Sequence, residues 1–133
     1  MWPFRRIEEA PVSRHGMTAR YNRGTEAWEF VCDGITFQLS GIPFNEAAFG
    51  WARQSVELVR ALEKEMCARV AEAYRDENRP CDETKLSILA VVLDDYPQSP
   101  STLEVFVYQE GGQYLQANVI ITDGKIVKVY GLD

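Results

Sequence analysis

Trp28-Glu29-Phe30-Val31-Cys32-Asp33-Gly34-Ile35-Thr36-Phe37-Gln38-Leu39 decides how this chain folds. An Asp-Gly pair between two runs of strand-forming residues marks a two-residue hairpin loop, because both loop positions need positive φ. With Asp33-Gly34 as the loop, Cys32 opposes Ile35, Phe30 opposes Phe37 and Trp28 opposes Leu39. Side chains alternate along a strand, so these apolar pairs share one face. The other face carries Val31 with Thr36, Glu29 with Gln38 and Ala27 with Ser40. One apolar face backed by one mixed face describes a hairpin that covers a core on a single side.

Three further pairs punctuate the chain in the same way: Arg23-Gly24, Gly111-Gly112 and Asp123-Gly124. Two of the four turns precede a long helical stretch and two follow it. The expectation is an α+β domain in β3-α-β3 order, with a largely antiparallel sheet packed on one long helix. Taking Arg23-Gly24 as a two-residue loop sets Met17 opposite Phe30 and Ala19 opposite Trp28, on the same apolar face. Residues 1–16, with Pro3, Pro11 and Gly16, read as an N-terminal tail, and 17–133 as a single domain.

From Asn45 to Asn78 the apolar period becomes helical. Phe49, Ala52, Val56, Val59, Leu62, Met66, Cys67, Val70, Ala73 and Tyr74 fall on one side, with Asn45 as N-cap. A helix of 34 residues would measure ~50 Å, against a radius of gyration of ~14 Å for a domain of this size. The expectation is therefore a break near Phe49-Gly50 and a main helix from Trp51 to Asp76, stopped by Asn78 and Pro80. Leu86-Ser87-Ile88-Leu89-Ala90-Val91-Val92-Leu93 is apolar on both sides and reads as a central strand. Beyond the loop 94–101, a second meander covers 103–110, 113–122 and 125–132. With two-residue loops throughout, Phe106, Tyr108, Leu115, Ala117, Val119, Ile121, Ile126 and Tyr130 face the helix. Val105, Val107, Ile120, Val127 and Val129 then lie opposite, around Tyr114, Gln116 and Asn118. One helix does not cover both faces, so this second face is covered by a partner, by a second copy or by curling of the sheet.

The chain has 133 residues and a formal net charge of −6. Residues 1–23 hold five Arg against Glu8 and Glu9, whereas the remainder holds nine basic and eighteen acidic residues. An acidic body disfavours direct contact with nucleic acid, which needs clustered Lys and Arg. It fits a basic protein partner, and it equally serves solubility. Cys32, Cys67 and Cys81 form no paired spacing, which suits a reducing cytoplasm and no disulfide framework. No run approaches the ~20 apolar residues of a membrane span. Met1-Trp2-Pro3-Phe4-Arg5-Arg6 lacks the apolar core of a signal peptide, and Pro3 and Pro11 interrupt any membrane-surface helix there.

Candidate chemistry is sparse. His15 is the one histidine and falls in the expected tail, which removes most histidine-based triads. The cysteines lack the neighbours of a zinc site, and no glycine-rich phosphate motif is present; no cofactor, metal or catalytic residue is expected. Asp76-Glu77, Asp82-Glu83 and Asp94-Asp95 are acidic pairs suited either to a cationic partner or to plain solvation. Glu63 falls on the apolar side of the helix. It reads as a buried acid in a pocket or as a flank residue paired with Arg60.

Val105-Phe106-Val107-Tyr108-Gln109-Glu110 followed by Tyr114-Leu115-Gln116-Ala117-Asn118-Val119-Ile120-Ile121 resembles the late strands of small bacterial immunity proteins of contact-dependent growth inhibition systems. Met1-Trp2-Pro3-Phe4-Arg5-Arg6 is similar to their opening. The order Trp28, Asp33-Gly34-Ile35, long helix, hairpin meander also resembles a bacterial domain-of-unknown-function family, which carries a His where this chain has Asn118. The resemblance implies a cytoplasmic, non-enzymatic protein that binds a toxin domain, often a nuclease, and blocks its active site. Expected contact residues are Asp82, Glu83, Asp94, Asp95, Tyr114, Gln116 and Asn118. The alternative is a homodimeric structural or adaptor protein; an enzyme using Glu63 is the third reading. Reversing the charges of Asp94 and Asp95 is expected to weaken capture of a cationic partner and to flatten its salt dependence, and an unchanged affinity removes both from the contact surface.

Overall fold

The computed structural model describes residues 7–96, 101–111 and 114–133. The opening Met1–Arg6 segment, part of the loop after residue 93, and Gly112 of the Gly111-Gly112 pair lie outside them. The chain forms one α+β domain: an eight-stranded sheet, antiparallel at every step but one, with a single long helix packed on it. In chain order the strands are β1 (Val12–Arg14), β2 (Met17–Asn22), β3 (Ala27–Cys32) and β4 (Ile35–Ser40). Helix α1 (Ala47–Asp76) follows, and then β5 (Leu86–Val92), β6 (Thr102–Gln109), β7 (Leu115–Thr122) and β8 (Lys125–Tyr130). Spatial order equals sequence order, and only the β4–β5 neighbours, joined through the helix, run parallel. Four strands therefore stand on each side of the helix, where the expected order counted three: β5 is the central strand expected over 86–93, and β1 is new, where residues were expected to trail as a tail.

Turn chemistry explains which loops kept their expected length. Asp33 and Gly34 sit at φ 49° and 79°, Asp123 and Gly124 at 52° and 77°. Positive φ at both central residues is what a tight I′ hairpin requires. The expected β3–β4 register holds at every pair, Cys32 opposite Ile35 through Ala27 opposite Ser40. A further turn of this kind, His15-Gly16 at φ 55° and 77°, joins β1 to β2. Histidine enters the left-handed region more readily than most residues, so the His-Gly pair was a legible signal. Arg23-Gly24 behaves differently. Asn22 Oδ1 accepts from the Gly24 N–H at 2.8 Å and the Thr25 N–H at 3.4 Å, and positive φ falls on Glu26 instead. The loop is thus four residues long. Tyr21, not Ala19, opposes Trp28. A two-residue shift preserves parity, so the apolar face of β2 still points inward.

In the second half the register departs by one residue, and the consequence is larger. Gln109 pairs with Leu115, so five residues separate β6 from β7 where two were expected. A one-residue slip turns every side chain of a strand over. Leu103, Val105 and Val107 therefore face the helix, and Phe106 and Tyr108 face away. At the far edge the Asp123-Gly124 turn pairs Thr122 with Lys125 as expected, but a bulge follows: Ile121 opposes Ile126 whereas Ile120 opposes Lys128. The extra residue, Val127, turns Val129 inward and Tyr130 outward, the reverse of the expected assignment.

Helix α1 runs unbroken for 30 residues, about 45 Å. The expected break at Gly50 does not occur, since the helix lies on a wide sheet. Eight strands at ~4.8 Å spacing span about 34 Å, and α1 touches β3, β4, β5, β6, β7 and β8 in turn. Asn45 Oδ1 accepts from the Ala47 N–H at 3.0 Å at the N-terminus. At the C-terminus Asn78 turns left-handed at φ 57°, its N–H reaching the Arg75 carbonyl, while the Arg79 N–H reaches that of Tyr74. That is a Schellman closure with asparagine as its left-handed residue. Trp28, Phe30, Phe37 and Phe49 centre the core, and Trp28 Nε1 donates to the Gly41 carbonyl at 2.7 Å. Complete burial of such a side chain contributes roughly 1.5–3 kcal/mol.

Two polar contacts tie the ends down. Glu9, in a short 3-10 turn at Ile7–Glu9, is buried and accepts two hydrogen bonds from Arg23, at 2.8 and 3.2 Å. The buried acid of this fold is thus Glu9, not Glu63. At the other end Tyr74 is fully buried, and its hydroxyl lies 2.9 and 3.0 Å from the carbonyl oxygens of Gln116 and Asp133, which share its proton. Arg79 stacks over the Tyr74 ring at 4.8 Å and donates to the same Asp133 oxygen. Burial, first among the causes, raises the Tyr74 pKa above its ordinary 10.0. The native state therefore holds that proton longer than the unfolded chain, so this contribution is full below pH 10.0 and declines as pH rises further. Tyr74→Phe should lower stability by about 1–2 kcal/mol in urea titrations and lose that alkaline decline; an unchanged midpoint would show that the Tyr74–Asp133 contact contributes nothing.

Candidate functional site

With one helix on one face, parity assigns the other face to solvent. On strands β5 to β8 its register gives three rows. Ser87, Tyr108 and Gln116 form the first; Ala90, Phe106, Asn118 and Tyr130 the second; Val92, Glu104, Ile120 and Lys128 the third. Phe106, Tyr108, Gln116, Asn118 and Ile120 are all partly buried by one another, and no second helix lies over them among the described residues. Tyr114, 55% exposed, closes the first row, its ring 6.2 Å from that of Tyr108 and its hydroxyl donating to Gln116 Oε1 at 2.7 Å. In the centre Glu104 Oε2 accepts from Asn118 Nδ2 at 3.2 Å and from the Tyr130 hydroxyl. Lys128 Nζ lies over the Tyr130 ring, 4.9 Å from its centroid. The hydrogen bond to Glu104 is the first cause that raises the Tyr130 pKa.

Of the residues singled out from the sequence, Tyr114, Gln116 and Asn118 do gather on this open face. The acidic residues do not form one patch with them. Asp82 and Glu83 lie before β5 and Asp94 and Asp95 after it, about 20 Å apart along a seven-residue strand. Two of the four serve the fold itself. Asp82 accepts from the Thr84 N–H at 3.0 Å and the Thr84 hydroxyl at 2.6 Å, and these bonds hold its carboxyl below the ordinary value. Asp94 accepts from the Ser40 N–H at 2.7 Å and its hydroxyl at 3.1 Å, pinning the end of β4 to the end of β5. Charge reversal at Asp94 therefore damages the fold as well as any contact, and Asp95 is the cleaner probe. Glu104 was missed because the expected two-residue Gly-Gly loop turned its strand over.

Elsewhere the chemistry is muted. Glu63 is partly buried beside a shallow groove of about 580 Å³ that it shares with Lys64, Cys67, Glu83 and Thr84. Arg60 does not pair with it; its guanidinium donates to the Asp33 carbonyl instead. The Cys67 thiol is pushed up to about 11, first by burial and then by Glu63. Burial also raises Cys32 and Cys81. Raised thiol pKa values work against a thiolate nucleophile at neutral pH. His15 is exposed at its turn beside a second groove, with Cys32, Asp33, Arg53 and Glu57. Among the described residues no group of His, Cys, Asp and Glu converges as metal ligands, and no helix is long and apolar enough to cross a membrane.

No protein-family model matches the chain, and no curated protein and no solved structure matches it. Disulfide-exchange labelling should be slow at all three cysteines at neutral pH, slowest at Cys67, and should accelerate above about pH 9 as thiolate forms; one fast-reacting thiol at neutral pH would reveal an activated cysteine.

Proposed function

We propose that this chain is a non-enzymatic, acidic, cytoplasmic protein-binding module that seats a polypeptide partner on the open face of β5–β8. The resemblance of its late strands points to an immunity protein that neutralises a bacterial toxin domain of nuclease type. The observation that carries the reading is the tyrosine-lined sheet face left bare by a single helix. Tyrosine supplies broad contact area at low entropic cost and concentrates in the energetic centres of protein interfaces. Tyr108, Tyr114 and Tyr130 are each held by a hydrogen bond to a neighbouring side chain, so little order remains to be imposed on binding. The net charge of −6 favours encounter with a basic partner. Three free cysteines suit a reducing compartment.

The sheet edges are poorer candidates. Strand β1 has three residues, and β8 carries Lys125, Lys128 and a bulge, all of which oppose pairing with another strand. A homodimer through the open face is the second reading, favoured by Glu104 and Lys128 standing in one row with opposite charges. The test is to read the neighbouring open reading frames and, where one encodes a large secreted protein, to co-express its toxin domain with this chain. Growth should be rescued and a one-to-one complex recovered. The double change Tyr108→Ala and Tyr130→Ala should abolish both, while Glu72→Ala on the exposed side of α1 should leave them intact. Rescue that survives the double change overturns the assignment to this face, and a stable dimer with no response to the toxin supports self-association instead.

A further inference from the structure

Resting on the reading of the open face as a protein-binding surface, we infer that its partner presents an arginine side chain, and that Glu104 receives it. A carboxylate part-way into an apolar sheet face is costly unless its oxygens are matched. Here Oε2 is matched twice, by Asn118 Nδ2 and the Tyr130 hydroxyl, and among the described residues no hydrogen bond reaches Oε1. The two donors fix the carboxyl group in place and leave Oε1 without a hydrogen-bond partner among the described residues. Around it stand Phe106 and the Tyr130 ring in the neighbouring row, with Val92 and Ile120 beside it in its own row.

A fixed carboxylate beside aromatic rings is complementary to a planar guanidinium, which stacks on a ring and donates in the plane of the carboxylate. The chain already shows that the site draws a cation: Lys128 Nζ rests on the Tyr130 ring. A flexible ammonium on β8, two strands from Glu104, is a weak tenant, and a partner's guanidinium displaces it. Asp95 adds a second negative charge near Tyr130, close enough to oppose ionisation of its hydroxyl. The charged groups facing the position are thus Glu104 and Asp95 against Lys128. An anionic partner would leave Glu104 facing like charge, and a wholly apolar one would bury Oε1 unmatched.

The test uses the full chain, isotope-labelled for amide shift mapping. The probes are two extended nine-residue peptides that alternate valine with arginine or with citrulline, the neutral isostere of arginine. The arginine peptide should perturb Glu104, Asn118, Lys128 and Tyr130 and bind about tenfold more tightly than the citrulline peptide at low salt. Glu104→Gln, which keeps shape and acceptor, should reduce the arginine peptide to the citrulline level. Equal binding of the two peptides on this face overturns the arginine inference while leaving the protein-binding reading standing. Perturbations confined to Asp82 and Glu83, or no binding of either peptide, also overturn it. Concentration-dependent shifts on this face without peptide would give the face to a second copy, against both the inference and the toxin-binding reading.

Discussion

The burial of one side of helix α1 against one face of the sheet is the contact on which the rest of the molecule depends. It joins the two meanders, since β4 and β5 are neighbours only because the helix carries the chain from one to the other. It also sets a limit. A single helix buries a single sheet face, so the parity of each strand decides which side chains make the core and which remain at the surface. Trp28, Phe37, Val105 and Val119 are core because their parity points to α1; Tyr108, Asn118 and Glu104 are surface because theirs does not.

That limit makes small local events decisive. The five-residue connection between β6 and β7 and the bulge at Val127 each displace the pairing by one position. Together they exchange Val105, Val107 and Val129 for Phe106, Tyr108 and Tyr130 on the open side. The exchange suits both faces. Branched aliphatic side chains pack against the helix, and the hydroxyls of Tyr108 and Tyr130 meet water. The four-residue loop after Asn22, by contrast, moves the register by two and leaves the faces unchanged.

The candidate site is a product of the same constraint. It is not a cleft with convergent ligands but a bare sheet surface on which Glu104, Asn118 and Tyr130, drawn from three different strands, hold one another. The acids that stand out along the chain have other duties. Asp82 closes a turn through Thr84, Asp94 clamps Ser40, and Glu9 holds Arg23. Each satisfies local backbone or side-chain donors that would otherwise go without a partner.

Elements governed by short-range physics were legible from the residues alone. Asp-Gly turns need positive φ, so two hairpins and the full β3–β4 register followed directly. The 3.6-residue period and Asn78 gave the helix and its C-terminal end, whereas its continuous run begins at Ala47 rather than Trp51. That Tyr114, Gln116 and Asn118 lie away from the helix also followed, because alternation within one strand is local. What the residues alone did not decide were quantities set by several strands at once. Whether Gly-Gly makes a two- or a five-residue connection depends on which face of β6 best fills the space under α1. Whether a 30-residue helix breaks depends on how wide a sheet lies beneath it. The role of Glu104 exists only once β6, β7 and β8 are aligned, because its partners lie 14 and 26 residues away in the chain. Local backbone preferences fixed the elements of this protein; competition among faces for one helix fixed which of its residues meet a partner.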